Sequence, residues 1–183
     1  MKSILQPGQL QVISWAEAFG GSPVEEQEFI KDLNKKGESE GMLLLDPDII
    51  GSFISSFVVV DWMDRPAAHA AHKITRTSKF HDAKIAVIGS VCSVMYPGKG
   101  LAKVATTSAA TSAASSGVDF VHARTGNPKC REMLEELYFE VMGMGEDGKS
   151  ELYVSAETIL QNLVMPNMMA IDLPTFTDGG KYD

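Results

Sequence analysis

The chain has 183 residues, of which 44% are hydrophobic and 22% charged, enough for one domain with a core of its own. A formal net charge of −8 argues against a broad nucleic-acid-binding surface and leaves a weak attraction for amine-bearing ligands. No basic-plus-apolar leader opens the chain, and the run Phe57-Val-Val-Val60 is far too short to span a bilayer, so a cytoplasmic protein without membrane contact is expected.

Leu10 to Trp15 alternates as a first strand. After Gly20 and Gly21, Ser22 is placed to cap a helix, with Pro23 at its first position and Glu25 completing a capping box. Val24, Phe29, Ile30 and Leu33 are its expected buried stripe, and Asn34-Lys-Lys-Gly37 is its stop. Gly41 to Asp46 reads as a second strand, Asp46-Pro-Asp48 as a turn, and Ile49 to Val60 as a third strand, antiparallel to the second if the two form a hairpin. The segment Asp61 to Asp82 lacks periodicity and is expected to be a functional loop or a short helix with turns. It carries Arg65, His69, His72, Arg76 and His81. His69 and His72 are three apart and could share a helix face; with no third ligand beside them, no metal site is expected.

The stretch that organises the chain comes next. Ile85, Val87, Ile88, Val91 and Val94 are strand formers, and Gly98 and Gly100 allow a sharp turn into a helix. Backbone N–H groups at that helix start, beside the positive end of the dipole, suit a phosphate or pyrophosphate. From Val104 to Val118 the helix has no charged residue. Its outer face is Thr106, Thr107, Ser108, Thr111, Ser112, Ser115 and Ser116. Exposed helix faces usually carry Lys and Glu, so this face is expected to be covered, by the C-terminal tail or by a second copy.

Val118 to Arg124 is the next strand, parallel to the one before because a helix crosses between them. Asn127 and Pro128 open another helix, with Cys130, Met133, Leu134 and Leu137 on its inner face. Tyr138 to Gly145 is a strand, and Glu151 to Ser155 is its hairpin partner. Residues 1–157 are expected to form the domain, and 158–183 a tail for packing or oligomer contact. Cys92 in an apolar strand and Cys130 on a helix face lack metal-ligand spacing and read as reduced core residues.

Two common phosphate loops do not fit the glycine turn. A P-loop needs Lys-Ser or Lys-Thr after its last glycine, where this chain has Leu101-Ala102. A dinucleotide fingerprint needs other glycine spacing and an acid at the end of the next strand, whereas Asp119 lies at its start. The segment Tyr96-Pro-Gly-Lys-Gly-Leu-Ala-Lys103 instead resembles the acyl-CoA loop of the GNAT superfamily of acyl-CoA-dependent N-acetyltransferases. That loop reads Arg/Gln-x-x-Gly-x-Gly/Ala, with Gly100 and Ala102 matching. The resemblance runs on through Gly117-Val-Asp119, Asn127-Pro128 and Tyr138-Phe-Glu-Val-Met-Gly143 to the closing hairpin.

It implies a mixed α/β fold: a mostly antiparallel central sheet with one parallel pair splayed at the acyl-CoA site, and helices on both faces. It implies acetyl-CoA as co-substrate, an amine acceptor and no metal. Cofactor contacts carried over by position are Cys92, Ser93, Val94, Gly98, Lys99, Gly100, Leu101, Ala102 and Asn127, though Asn127 is first of all a helix cap. Candidates for the base are His81, Asp82, His122 and Glu140, and Tyr138 is a candidate for thiolate protonation. On residue type alone His122 reads more simply as a core or rim histidine. Two departures stand out. Pro97 replaces the Arg/Gln that opens the loop, and Leu134 stands where many members carry a tyrosine acid. They also fit the alternative, a catalytically inactive binding or structural module in an assembly.

Overall fold

The computed structural model describes residues 9–38, 44–76, 82–163 and 168–170. β1 (Gln9–Ser14) ends at Ser14, which caps the five-residue α1 (Trp15–Phe19) in a capping box with Glu17. α2 (Pro23–Glu38) starts as expected, with the Glu25 N–H donating to Ser22 Oγ at 3.4 Å. It buries Phe29, Ile30 and Leu33, but Val24 is 68% exposed. At 3.6 residues per turn Val24 falls on the side opposite those three, so it never belonged to the stripe.

The expected strand over 41–46 is not formed within the described residues. Residues 39–43 lie outside them, and 44–46 are not in a strand. Asp46 instead accepts the Ile49 N–H at 2.7 Å and caps the short helix α3 (Pro47–Gly51). The Asp-Pro signal read as a turn is equally a helix start. Asn34 ties this segment to α2, bonding both Leu45 O and Leu45 N–H at 2.7 Å. β2 (Ser55–Asp61) thus begins later than Ile49, and it pairs with β1 and with the strand that follows.

That following strand, β3 (Pro66–Arg76), occupies most of the segment expected as a loop. Its alternation is hidden because both faces are covered: Ala67, Ala68, His69, Ala70, Ala71 and His72 are all buried. Along a strand His69 and His72 point to opposite faces, so they share no helix face.

The remaining elements follow in order: β4 (Lys84–Ser93), α4 (Leu101–Ser115), β5 (Phe120–Thr125), α5 (Pro128–Glu135), β6 (Glu140–Met144), β7 (Ser150–Ser155), α6 (Ala156–Asn162) and β8 (Met168–Ala170). Among the described residues the sheet has eight strands in the order β6-β7-β5-β4-β3-β2-β1-β8. Its β4–β5 pair is parallel and its other pairs are antiparallel. One face buries Phe19, Phe29, Leu33, Ile50, Val58 and Val60 from α1, α2, α3 and β2. The other buries Val59, Leu101, Val104, Val121, Leu134 and Ile159, with α4, α5 and α6 on top. This is the mixed, mostly antiparallel sheet with a parallel pair and helices on both faces that the resemblance implies.

Position 157/158 falls inside α6, and β8 adds a strand to β1. α6 packs on α4, and Thr106 and Ser108 are fully buried, whereas Ser115 and Ser116 are exposed. Covering within the chain therefore accounts for part of that face. The hydroxyls of Thr106, Thr107, Ser108, Thr111, Ser115 and Ser116 each donate to the carbonyl four residues back, from 2.7 Å at Ala102 O to 3.2 Å at Val104 O. Satisfied in this way, a hydroxyl face needs neither charge nor water to be buried.

Candidate functional site

β4 and β5 pair from Ile85↔Phe120 to Ile88↔Ala123. Beyond that point each strand keeps only its outer neighbour. β4 continues beside β3 to the Ser93↔Ala68 pair, and β5 beside β7 to Thr125↔Ser150. A gap therefore opens between two parallel strands at their C-terminal ends, edged on the β4 side by backbone from Gly89 onward.

A bulge bends β4 at the mouth of this gap. The β3–β4 register shifts between His69 and Ala71, and Ser90 sits at φ 57°. The alternation flips across it. Ile88 faces the α4 side before the bulge, whereas Val91 faces that side after it and Cys92 faces the α1–α2 side. His69 braces the bulge: its Nδ1 lies 3.1 Å from Ser90 O and 2.9 Å from Ser90 Oγ. A carbonyl can only accept, so Nδ1 carries the proton and Nε2 is a bare acceptor. Nε2 has no hydrogen-bond partner among the described residues. Burial pushes the His69 pKa down to about 4, against the opposing Ser90 bond, so the ring is neutral at physiological pH. Trp15 meets it edge-on with ring centroids 5.1 Å apart.

Backbone pairing decides which β4 groups face the gap. The Val94 N–H donates to Ala67 O at 2.9 Å, and the Met95 N–H reaches the same oxygen at 3.3 Å. Val94 therefore turns its donor toward β3, which removes it from the expected set of acyl-CoA donors. Polar groups alternate along a strand, so Val91 and Ser93 direct theirs to the β5 side. Ser93 remains a gap-facing donor, while Cys92, in register with His69, is buried in the opposite cluster.

The glycine loop begins with a turn. Tyr96 O accepts the Lys99 N–H at 3.2 Å, with Pro97 second in the turn and Gly98 third at φ 76°. These are the marks of a type II turn, and they account for Pro97, whose ring presets the angle that this position requires. Gly100 is the N-cap of α4 at φ 75° and gives no side-chain cap bond. A Cβ there would meet nothing within 4 Å, so conformation rather than crowding calls for glycine. The α4 N-terminus thus presents the Leu101 and Ala102 N–H groups at its positive end, uncovered by any capping side chain. Leu101 anchors the turn through a buried side chain. Lys103 reaches across to α5 and pairs with Glu136 Oε2 at 2.9 Å.

Beneath the loop lies a polar cluster that sequence reading missed. Tyr96 is buried, and its hydroxyl donates to Asp61 Oδ2 at 2.7 Å and accepts from Arg65 at 2.7 Å. Asp61 is 0% exposed and also accepts from the Met63 and Arg65 N–H groups and from Arg65 Nε. Burial alone would raise the Asp61 pKa, but the Arg65 and Tyr96 side chains and the two N–H groups outweigh it and hold the carboxyl below its ordinary value. Tyr96 lies 31 residues from Arg65 and 35 from Asp61 in sequence, and no local pattern joins it to them.

Of the other expected site residues, Asn127 acts as the α5 cap, with Oδ1 accepting from Lys129 and Cys130 N–H at 2.9 and 3.4 Å. His122 stacks on Tyr153 at 4.3 Å, one register step before the strands part. Glu140 pairs with Tyr153 on the exposed edge strand β6. Asp82 precedes β4, at the end of the strand away from the glycine loop, about 30 Å along its length. His81 lies outside the described residues. Tyr138 stands just after α5 at φ 67° and is 48% exposed, a left-handed conformation that favours glycine. Leu134 is a core residue, 1% exposed. Among the described residues no group of three or more His, Cys, Asp and Glu could hold a metal, and no helix is long and apolar enough to cross a membrane.

No family model matches the sequence, and no curated protein matches it. Solved structures match it by shape. A spermidine N-acetyltransferase from Vibrio cholerae, in complex with CoA and spermine, superposes with a TM-score of 0.58 at 14% identity over 82% of this chain and 98% of that one. An aminoglycoside N(6')acetyltransferase from Legionella pneumophila gives 0.54 at 12% identity over 86% and 98%. An N-acyl amino acid synthase from uncultured soil microbes gives 0.60 at 12% identity over 87% and 97%. At these identities the likeness is one of fold, and the chain has the GNAT fold.

Proposed function

We propose that the protein is a GNAT-type N-acyltransferase that moves an acetyl group from acetyl-CoA to an amine of a small molecule or a protein. The observation that carries this reading is the gap between β4 and β5 opening beside a glycine-capped helix start. One offers a strand edge to an extended arm, and the other offers N–H donors to a pyrophosphate. When bound, acetyl-CoA supplies an activated thioester. Ser93 directs its N–H into the gap, where it would hold the carbonyl oxygen as negative charge develops. Leu101 and Ala102, set by Gly98 and Gly100, would hold the phosphates, with Lys99 and Asn127 alongside. In the transfer the amine nitrogen bonds the acyl carbon, the C–S bond breaks, the amine gives up a proton and the sulfur takes one. Of the candidate bases within the described residues, His122 lies nearest the gap in register, acting directly or through water. Cys92 and Cys130 are not joined in a disulfide, which suits the reducing cytoplasm, where we place the reaction.

The test is a titration with acetyl-CoA followed by thermal unfolding. Ligand at about 100 times its dissociation constant should add about 2.7 kcal/mol of stability, a rise of roughly 7 °C for a chain of this size. An amine panel with acyl-CoAs of increasing length, read by thiol release, then tests transfer. No shift at millimolar concentration of any donor would sink the reading. A shift without thiol release would assign a CoA-binding module instead.

A further inference from the structure

The head of the glycine loop is held by side chains from elsewhere in the chain. Tyr96 opens the turn and accepts the Lys99 N–H through its carbonyl. It does so at φ 52°, a strained conformation for a residue with a Cβ. Its hydroxyl is held by Asp61 and Arg65, each at 2.7 Å, and its ring stacks on Trp62 at 6.3 Å. Asp61 is filled by four donors besides, counting the two Arg65 side-chain nitrogens separately from the Met63 and Arg65 N–H groups. A buried carboxylate saturated in this way is a rigid post. The same β2–β3 hairpin also grips the approach to the loop, since Ala67 O receives the Val94 and Met95 N–H groups. Hairpin and loop are thus joined twice, once by backbone and once through Tyr96.

We propose that Asp61, Arg65 and Tyr96 are the positioning residues of the anion loop, fixing the Tyr96–Lys99 turn and with it the aim of the N–H groups that follow. The proposal rests on the acyl-CoA reading. Pro97 has neither a side-chain donor nor an N–H, so the loop has no hook of its own at that point, and the hook comes from the hairpin instead. The three act through the loop backbone and need not touch the ligand.

Tyr96→Phe keeps the ring and its stack and removes the hydroxyl. Arg65→Gln keeps the phenol and removes the cation. Calorimetry with CoA, well below the unfolding temperature, measures affinity, and a ligand-free melt measures stability separately. If freeing the loop leaves about one-tenth of molecules competent, the dissociation constant rises about ten-fold. Each variant should show that loss. The double variant should bind no more weakly than either single one by a further ten-fold, because all three residues serve one contact. In turnover, KM for acetyl-CoA should rise while kcat at saturation holds. A purely structural role would lower the melting temperature and leave affinity and KM alone. Wild type that binds CoA, with both variants within two-fold of it, would overturn the proposal and leave the acyl-CoA reading standing. Should Tyr96→Phe fail to fold, Arg65→Gln decides by the same criterion. Wild type that does not bind CoA would remove both.

Discussion

His69 makes a pH-dependent contribution to stability that one substitution can isolate. The ring is 0% exposed, and burial brings its pKa from 6.5 to about 4. The folded protein therefore resists the proton that the unfolded chain accepts. A base with a depressed folded pKa contributes its stability in full above the unfolded value of 6.5, and loses it as pH falls toward the folded value of about 4. The full shift corresponds to about 3 kcal/mol, of which about 2 kcal/mol is lost between pH 7.5 and pH 5. For a chain of this size that is a fall of about 5 °C in melting temperature. His72, also depressed by burial, adds loss of the same sign in the same window. Asp61, whose carboxyl is held below 3.8, loses its contribution only at lower pH. Urea unfolding of wild type and His69→Gln at pH 7.5, 6 and 5 is the assay. The variant will be less stable at pH 7.5, because the side chain fills buried space, but the comparison is between slopes. The variant should lose about 2 kcal/mol less than wild type across the window. Parallel slopes would refute the assignment of a neutral, buried His69.

Three further substitutions test the site's construction. Asn127→Ala removes the acceptor for the Lys129 and Cys130 N–H groups and should cost about 1 kcal/mol in urea unfolding. Gly100→Ala meets open space at φ 75°, so backbone strain alone should cost about 1 kcal/mol, together with weaker CoA binding in calorimetry. Leu134→Tyr restores a tyrosine at the resembled position, but Leu134 is packed in the core. It should destabilise by roughly 1–3 kcal/mol without raising turnover, and a faster enzyme with an unchanged melting temperature would show that the position reaches the site.

Short-range features of the chain were legible in its sequence. The strand into Gly98 and Gly100, the helix that follows, and the Asn127-Pro128 start of the next helix depend on neighbours a few residues apart, and each stands where its residues put it. So does the parallel pair, because a helix between two strands leaves little choice of direction. The misread stretches failed for identifiable reasons. Asp46-Pro47 is a signal shared by turns and helix starts, and Val24, though apolar, lies at the wrong angle around α2 to join the stripe.

Other features belong to the tertiary structure alone. β3 shows no alternation because helices cover both of its faces, so only its burial identifies it as a strand. The direction of the Val94 N–H follows from its pairing with Ala67, and the flip at Ser90 from a bulge braced by a histidine on the neighbouring strand. The Asp61–Arg65–Tyr96 cluster forms only when a hairpin and a loop distant in sequence meet. Local rules placed the donors along the chain by backbone geometry and turn chemistry. Pairing between distant strands decided which of them face the gap, because a backbone N–H can be aimed at a ligand only if no neighbouring carbonyl has already taken it.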